Sequence, residues 1–121
     1  MRTLRNLGVL AIVLIAPSLS FAQLSGNYTI GGSSANYSSI TAAISALTSN
    51  GVSGPVVFTI NAGSYSEDIY LTSAISGASA TNTVTFKGVG KGQVTISDNY
   101  PLYLYNCDYV HVENVSLVAR Y

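Results

Sequence analysis

Charge is scarce in this sequence: five Lys and Arg stand against five Asp and Glu, only 8% of 121 residues, and the formal net charge is zero. Proteins that grip nucleic acid cluster Lys and Arg on one face to replace condensed counterions, so nucleic acid is not an expected partner. Cys107 is the only cysteine, which excludes an intrachain disulfide and leaves packing to hold the fold. It reads as a small buried apolar side chain. A thiol nucleophile needs a neighbouring base, and the chain offers one histidine, His111. Tryptophan is absent. The one long apolar run, Leu7 to Ala16, is too short to span a bilayer and no second run follows it. Arg2 and Arg5 precede it and Ser20, Phe21 and Ala22 follow, the layout of a secretory signal peptide over residues 1–22. No cysteine is placed there for lipid attachment. The expected mature chain starts near Gln23, is secreted or held at the cell surface, and has no membrane span after cleavage. Its remaining charges, Lys87, Lys91 and Arg120 against Glu67, Asp68, Asp98, Asp108 and Glu113, leave it mildly acidic.

What is present is short, alternating and turn-rich. Residues 23–37 form a polar lead-in with one strand signal at Tyr28 to Ile30. One helix is predicted over residues 38–50: Ile40, Ala43, Ile44 and Leu47 recur at three and four residues, Ser38 or Ser39 can cap its start, and Asn50-Gly51 supplies a left-handed stop. Seven strands are predicted after Gly54: Val56–Ile60, Asp68–Leu71, Thr83–Phe86, Gln93–Ile96, Leu102–Tyr105, Tyr109–Glu113 and Val115–Val118. Their alternation puts Val56, Phe58, Ile60, Ile69, Leu71, Val84, Phe86, Val94, Ile96, Leu102, Leu104, Val110 and Val112 on buried faces.

Two architectures suit many half-buried strands: an antiparallel sandwich or barrel, and a coiled stack of parallel strands. "VVFTI", "TVTFKG" and "YVHVENV" recur at roughly twenty-six residues, inside the range of solenoid periods. A second series, "DIYL", "QVTIS" and "VSLV", has a comparable interval. The spacing favours a parallel β-solenoid of about two to three coils over residues 55–121, its first opening covered by the apolar stripe of the helix. "NAGSY" then becomes a corner between flat faces, with Asn61 and Gly63 available for left-handed backbone; an ordinary hairpin turn fits the same residues.

"ANYSSITAAISAL", then "GPVVFTINAGSYSEDIYL", then "NTVTFKGVGKGQVTISD" resembles the amino-terminal part of pectin-lyase-like right-handed parallel β-helix proteins, an opening shared with pectin methylesterases. "YTIGG" and "SGASATNTVTFKG" look more like large exported proteins of Bacteroidetes-type bacteria. The resemblance implies an all-β, right-handed parallel β-helix with an N-terminal capping α-helix. It carries no catalytic residue over, because the esterase carboxylates and the lyase calcium cluster lie on later coils than "YVHVENVSLVARY". The pattern breaks off at "SLVARY", and the expectation is a truncated chain whose last coil would meet further coils of its parent.

Glu67-Asp68 is the only adjacent acidic pair; strand neighbours face opposite ways, and Glu67 is expected to bond backbone amides or stay solvated. His111 and Glu113 share one outward row with Tyr109, too few groups for a metal centre. Tyr70, Tyr103, Tyr105 and Tyr109 all face outward by alternation, and such amphipathic rings pack on sugars or stack on one another. "GVGKGQ" lacks the spacing of a phosphate loop and is a turn. Asn27, Asn36 and Asn114 open N-x-S/T triplets that matter only in a glycosylating host. No catalytic residue, metal or cofactor is assigned. The sequence points to a non-catalytic, exported β-helix segment in contact with polysaccharide or another cell-surface component through Tyr70, Tyr103, Tyr105, Tyr109, His111 and Glu113. A carbohydrate-active enzyme fragment of lyase or esterase type and a structural adhesin or scaffold are the alternatives.

Overall fold

A computed structural model describes residues 22–120. The leader assigned to 1–22 lies outside them apart from Ala22. Among the described residues no helix is long and apolar enough to cross a membrane.

Among the described residues the protein is all-β apart from one helix. Its elements are β1 (Leu24–Ile30), α1 (Ile40–Asn50), β2 (Val52–Ile60), β3 (Gly63–Tyr65), β4 (Ile69–Leu71), β5 (Val84–Gly88), β6 (Val94–Asp98), β7 (Leu102–Leu104), β8 (Val110–Glu113) and β9 (Ser116–Ala119). They form three sheets, with orders β1-β2-β5-β8, β3-β6-β9 and β4-β7, and every pairing is parallel. From β2 onward the chain enters the four-stranded, the three-stranded and the two-stranded sheet in turn, repeats that order, and then enters the first two again.

Register places like on like. Val56, Val84 and Val110 are aligned, as are Tyr28, Phe58, Phe86 and Val112. Phe58 and Phe86 are fully buried and stacked with centroids 5.0 Å apart. The recurrence of about twenty-six residues is therefore the interval between aligned strands of one sheet. The second series mixes two sheets: β4 pairs with β7, while β6 pairs with β3 and β9. The reason is β3, whose Gly63-Ser64-Tyr65 is too poor in branched and aromatic residues to be recognised as a strand and was predicted only as a corner.

That corner does exist between Ile60 and Gly63, but by a different device from the one expected. Gly63 takes a positive φ of 149°, whereas Asn61 does not take one. Asn61 works through hydrogen bonds: its side-chain amide donates to the Gly31 carbonyl at 2.9 Å, and its own carbonyl accepts the Tyr65 hydroxyl at 2.7 Å. The lead-in is more ordered than predicted, since β1 runs seven residues along β2. Leu24 pairs with Val52 and Gly26 with Val56, so β2 carries extra residues around Pro55, which lacks an N–H and is tolerated at such an irregularity.

The core is apolar: Ile30, Ile40, Ala43, Leu47, Phe58, Ile60, Ile69, Leu71, Val84, Phe86, Val94 and Ile96 are among its members, and among the described residues no buried polar side chain accompanies them. Helix α1 packs on β4, β1 and β2 through Ile40, Ala43 and Leu47, with Ile44 half-buried at the margin. Its first N–H groups are each given a partner. Ser39 is the N-cap, its hydroxyl accepting the Ala42 N–H at 3.1 Å. The Ile40 and Thr41 N–H groups go to Glu67, at 3.3 and 3.0 Å. At the other end the N–H of Gly51, at φ 72°, returns to the Leu47 carbonyl at 2.9 Å, and a Cβ there would lie 2.7 Å from the Ser76 carbonyl oxygen.

The last strands depart from the expected burial. Leu102, Val110 and Val112 are only half-buried and Leu104 is 39% exposed, because neighbouring strands cover them from one side only. Cys107, expected to be buried, is half-exposed on the β7–β8 connection.

Candidate functional site

The six outward residues singled out from the sequence fall into two groups. Tyr70 and Tyr103 are register partners in β4 and β7, and their rings stack with centroids 4.9 Å apart and planes 19° from parallel. Both keep large exposed areas, 49% and 40%. Tyr105, predicted as the last residue of its strand, lies just past the end of β7 but stays attached to the same sheet: its N–H donates to the Leu71 carbonyl at 2.9 Å. It is also exposed.

Tyr109, His111 and Glu113 belong to β8 and its approach, on the four-stranded sheet. His111 is aligned with Thr85 and Glu113 with Lys87. Tyr109 precedes the strand with φ 66°, a left-handed backbone uncommon for a bulky residue, while its carbonyl still accepts the Val84 N–H at 2.9 Å. The structure thus does not gather the six residues on one surface. Among the described residues the aromatic pairs join Tyr70 to Tyr103 and bring in neither Tyr105 nor Tyr109.

Stacking changes what the tyrosines can offer. Each ring of the pair spends one face on the other, leaving their edges, their hydroxyls and the outer face of Tyr103, which points away from Tyr70. A sugar or planar group could extend the stack there and be bonded by the hydroxyls. Tyr100, the most exposed tyrosine among the described residues at 70%, stands on the bend between β6 and β7 and is not among the residues singled out from the sequence. A signal was present, since Tyr100-Pro101 sits in a polar stretch between two strands, where a large ring has no core to enter.

Among the acidic residues, Glu67 is placed for structure. Both Glu67 oxygens are used on α1: Oε1 accepts the Thr41 N–H and hydroxyl, and Oε2 accepts the Ile40 N–H. This matches the expectation that Glu67 bonds backbone amides. Asp68 is turned elsewhere; partial burial, and then the charge of Asp98, hold its carboxyl above the usual value of 3.8. Burial likewise raises the Tyr65 hydroxyl, with Glu67 adding to it, and burial raises the Cys107 thiol, the reverse of what activates a nucleophile. Among the described residues no three His, Cys, Asp or Glu side chains converge as metal ligands. Chemically, the arrangement offers stacking surface and neutral hydrogen-bond donors.

Compared with known proteins, the chain matches no protein-family model, no curated protein and no solved structure.

Proposed function

We propose that this chain is a non-catalytic segment of an exported right-handed parallel β-helix protein, of the pectin-lyase-like kind, which contacts polysaccharide through its two-stranded face. The β-helix reading is supported by the fixed rotation of the chain through three parallel sheets, with aligned apolar columns inside. Right-handedness follows the strong preference of parallel crossovers. Helix α1, tied by Glu67 and packed on β4, serves as the lid of the first coil.

One observation carries the binding reading: two stacked, half-exposed tyrosines, Tyr70 and Tyr103, with the exposed Tyr105 on the same edge of the molecule. Flat rings with hydroxyls suit the faces and hydroxyls of sugars. The enzyme-fragment alternative loses its best local acid, because Glu67 is engaged by α1. A glycan array probed with the wild type and with Tyr103→Ala and Tyr105→Ala tests the proposal. Retention of a glycan by wild type and its loss in both variants is the expected outcome; a wild type that retains no glycan refutes it.

A scaffold role is the second reading, and the 4.9 Å stack favours it, since aligned aromatic pairs stabilise a sheet without any ligand. It predicts that Tyr103→Ala lowers stability and leaves all binding unchanged.

A further inference from the structure

β1 pairs with β2 on one side only, and in a parallel ladder both backbone groups of a residue point the same way, alternating from one residue to the next. The Asn61 N–H donates to the Ile30 carbonyl at 2.9 Å, so Ile30 and Tyr28 face β2, and Ser25, Asn27 and Thr29 face away from it. An unpaired row of this kind is a template on which another chain can add.

Most of that row is already occupied by the chain itself. It leaves β1 through Gly31 and Gly32, at positive φ of 102° and 95°, and comes back alongside, so that Tyr37 forms a parallel bridge with Ile30. The Tyr37 N–H donates to the Thr29 carbonyl at 3.0 Å, and the Gly31 N–H to the Tyr37 carbonyl at 2.9 Å. Asn36 stands in for one more peptide unit. Its Oδ1 accepts the Thr29 N–H at 2.9 Å and the Thr29 hydroxyl at 3.1 Å, while its own N–H donates to Thr29 Oγ1 at 3.0 Å. At the near end the Tyr28 hydroxyl accepts the Ser25 N–H and donates to the Ser25 carbonyl, each at 3.1 Å. Among the described residues, Asn27 alone in this row keeps its backbone groups without a partner.

The returning segment is anchored at its end. Tyr37 is half-buried against the core, and its ring lies 5.9 Å from those of Tyr28 and Phe58, centroid to centroid. Its outer side is polar: Gly32, Ser33, Ser34 and Asn36 are exposed.

We propose that residues 31–37 are an edge guard, a strap that occupies the outer side of β1 and keeps a second copy of this chain from pairing with it. β1 carries neither Lys nor Pro, the usual means of blunting an edge, and the strap replaces them with hydrogen bonds. Thr29 and Asn36 hold it closed, and Asn27 is where a copy would bridge the strand once it opened. The inference concerns the first rung alone and is independent of any glycan.

Two measurements test it, and the first needs no variant. Residue-resolved amide exchange should find Thr29 and Gly31 at least about tenfold slower than Asn27. Sedimentation then compares the wild type with Thr29→Val/Asn36→Ala, which removes both side-chain partners and leaves Tyr37 and the core in place; circular dichroism checks its fold. This variant is expected to self-associate at least about tenfold more tightly than wild type. Adding Asn27→Pro, which takes away the N–H on the opened edge, should return it to the wild-type level. A folded double variant that sediments as the wild type does overturns the proposal, and so do Thr29 and Asn27 amides that exchange equally fast. Extra association that survives Asn27→Pro overturns it too, because the new contact then lies elsewhere.

Discussion

Glu67 and Thr41 are joined twice: one carboxylate oxygen accepts the Thr41 N–H at 3.0 Å and its hydroxyl at 2.8 Å. The helix has no acidic residue in its own first turn, and Glu67 brings the missing negative charge from the next corner of the chain. One contact thus caps the helix and fastens it to the sheets.

Removing that contact should loosen α1 before anything else. Glu67→Ala is expected to cost about 1–2 kcal/mol, and Glu67→Gln about half as much, because it keeps one acceptor and loses the charge. Urea denaturation measures the loss. Hydrogen exchange should show faster opening confined to residues 40–50.

The two stacked aromatic pairs, Phe58–Phe86 and Tyr70–Tyr103, should differ widely in energetic weight. Phe86→Ala opens a cavity beneath a fully buried stack and is expected to cost roughly 3–5 kcal/mol. Tyr70→Ala removes a half-exposed ring and is expected to cost about 1 kcal/mol. Denaturation midpoints of the two variants check the ratio; equal losses would mean that the outer stack is as deeply packed as the inner one.

Gly88 closes β5 where the chain passes tightly beneath Asn114. An added Cβ would collide with the Asn114 carbonyl oxygen, which is backbone and cannot swing aside. Gly88→Ala is therefore expected to destabilise by about 2 kcal/mol or more, with the β8–β9 connection displaced. A variant as stable as wild type would contradict this packing.

Asp68 should make stability depend on pH in the direction opposite to a paired carboxylate. Its folded value is raised, so the folded state binds the proton more tightly than the unfolded chain, and stability falls as pH rises through the interval above 3.8. Asp68→Asn should then be slightly more stable than wild type at pH 7, and the gap should close as pH drops to 3.8 and below. Thermal melts of both proteins across pH 3 to 7 show the sign.

Legibility followed burial. Columns built from strong strand formers, such as Val56/Val84/Val110, were evident because one covered face forces strict alternation. Helix α1 was evident from its stripe and its caps. What escaped was whatever depended on partners distant in sequence. β3 is a strand only because β6 holds it, and β1 extends to Leu24 only because β2 lies beside it. For the site, outward direction could be inferred strand by strand, which correctly put Tyr70 and Tyr103 at the surface. Which sheet each strand joins could not, so Tyr109, His111 and Glu113 were grouped with tyrosines that lie on a different sheet.

The parallel ladders leave a mark on how the chain must fold. Each joins segments roughly twenty to thirty-three residues apart, so no hairpin can form early and loop-closure entropy is spent before the first rung is rewarded. Refolding after dilution from denaturant should accordingly be slow for a domain of this size, and its slowest phase should report the arrival of β2 against β5, the rung that first encloses Phe58.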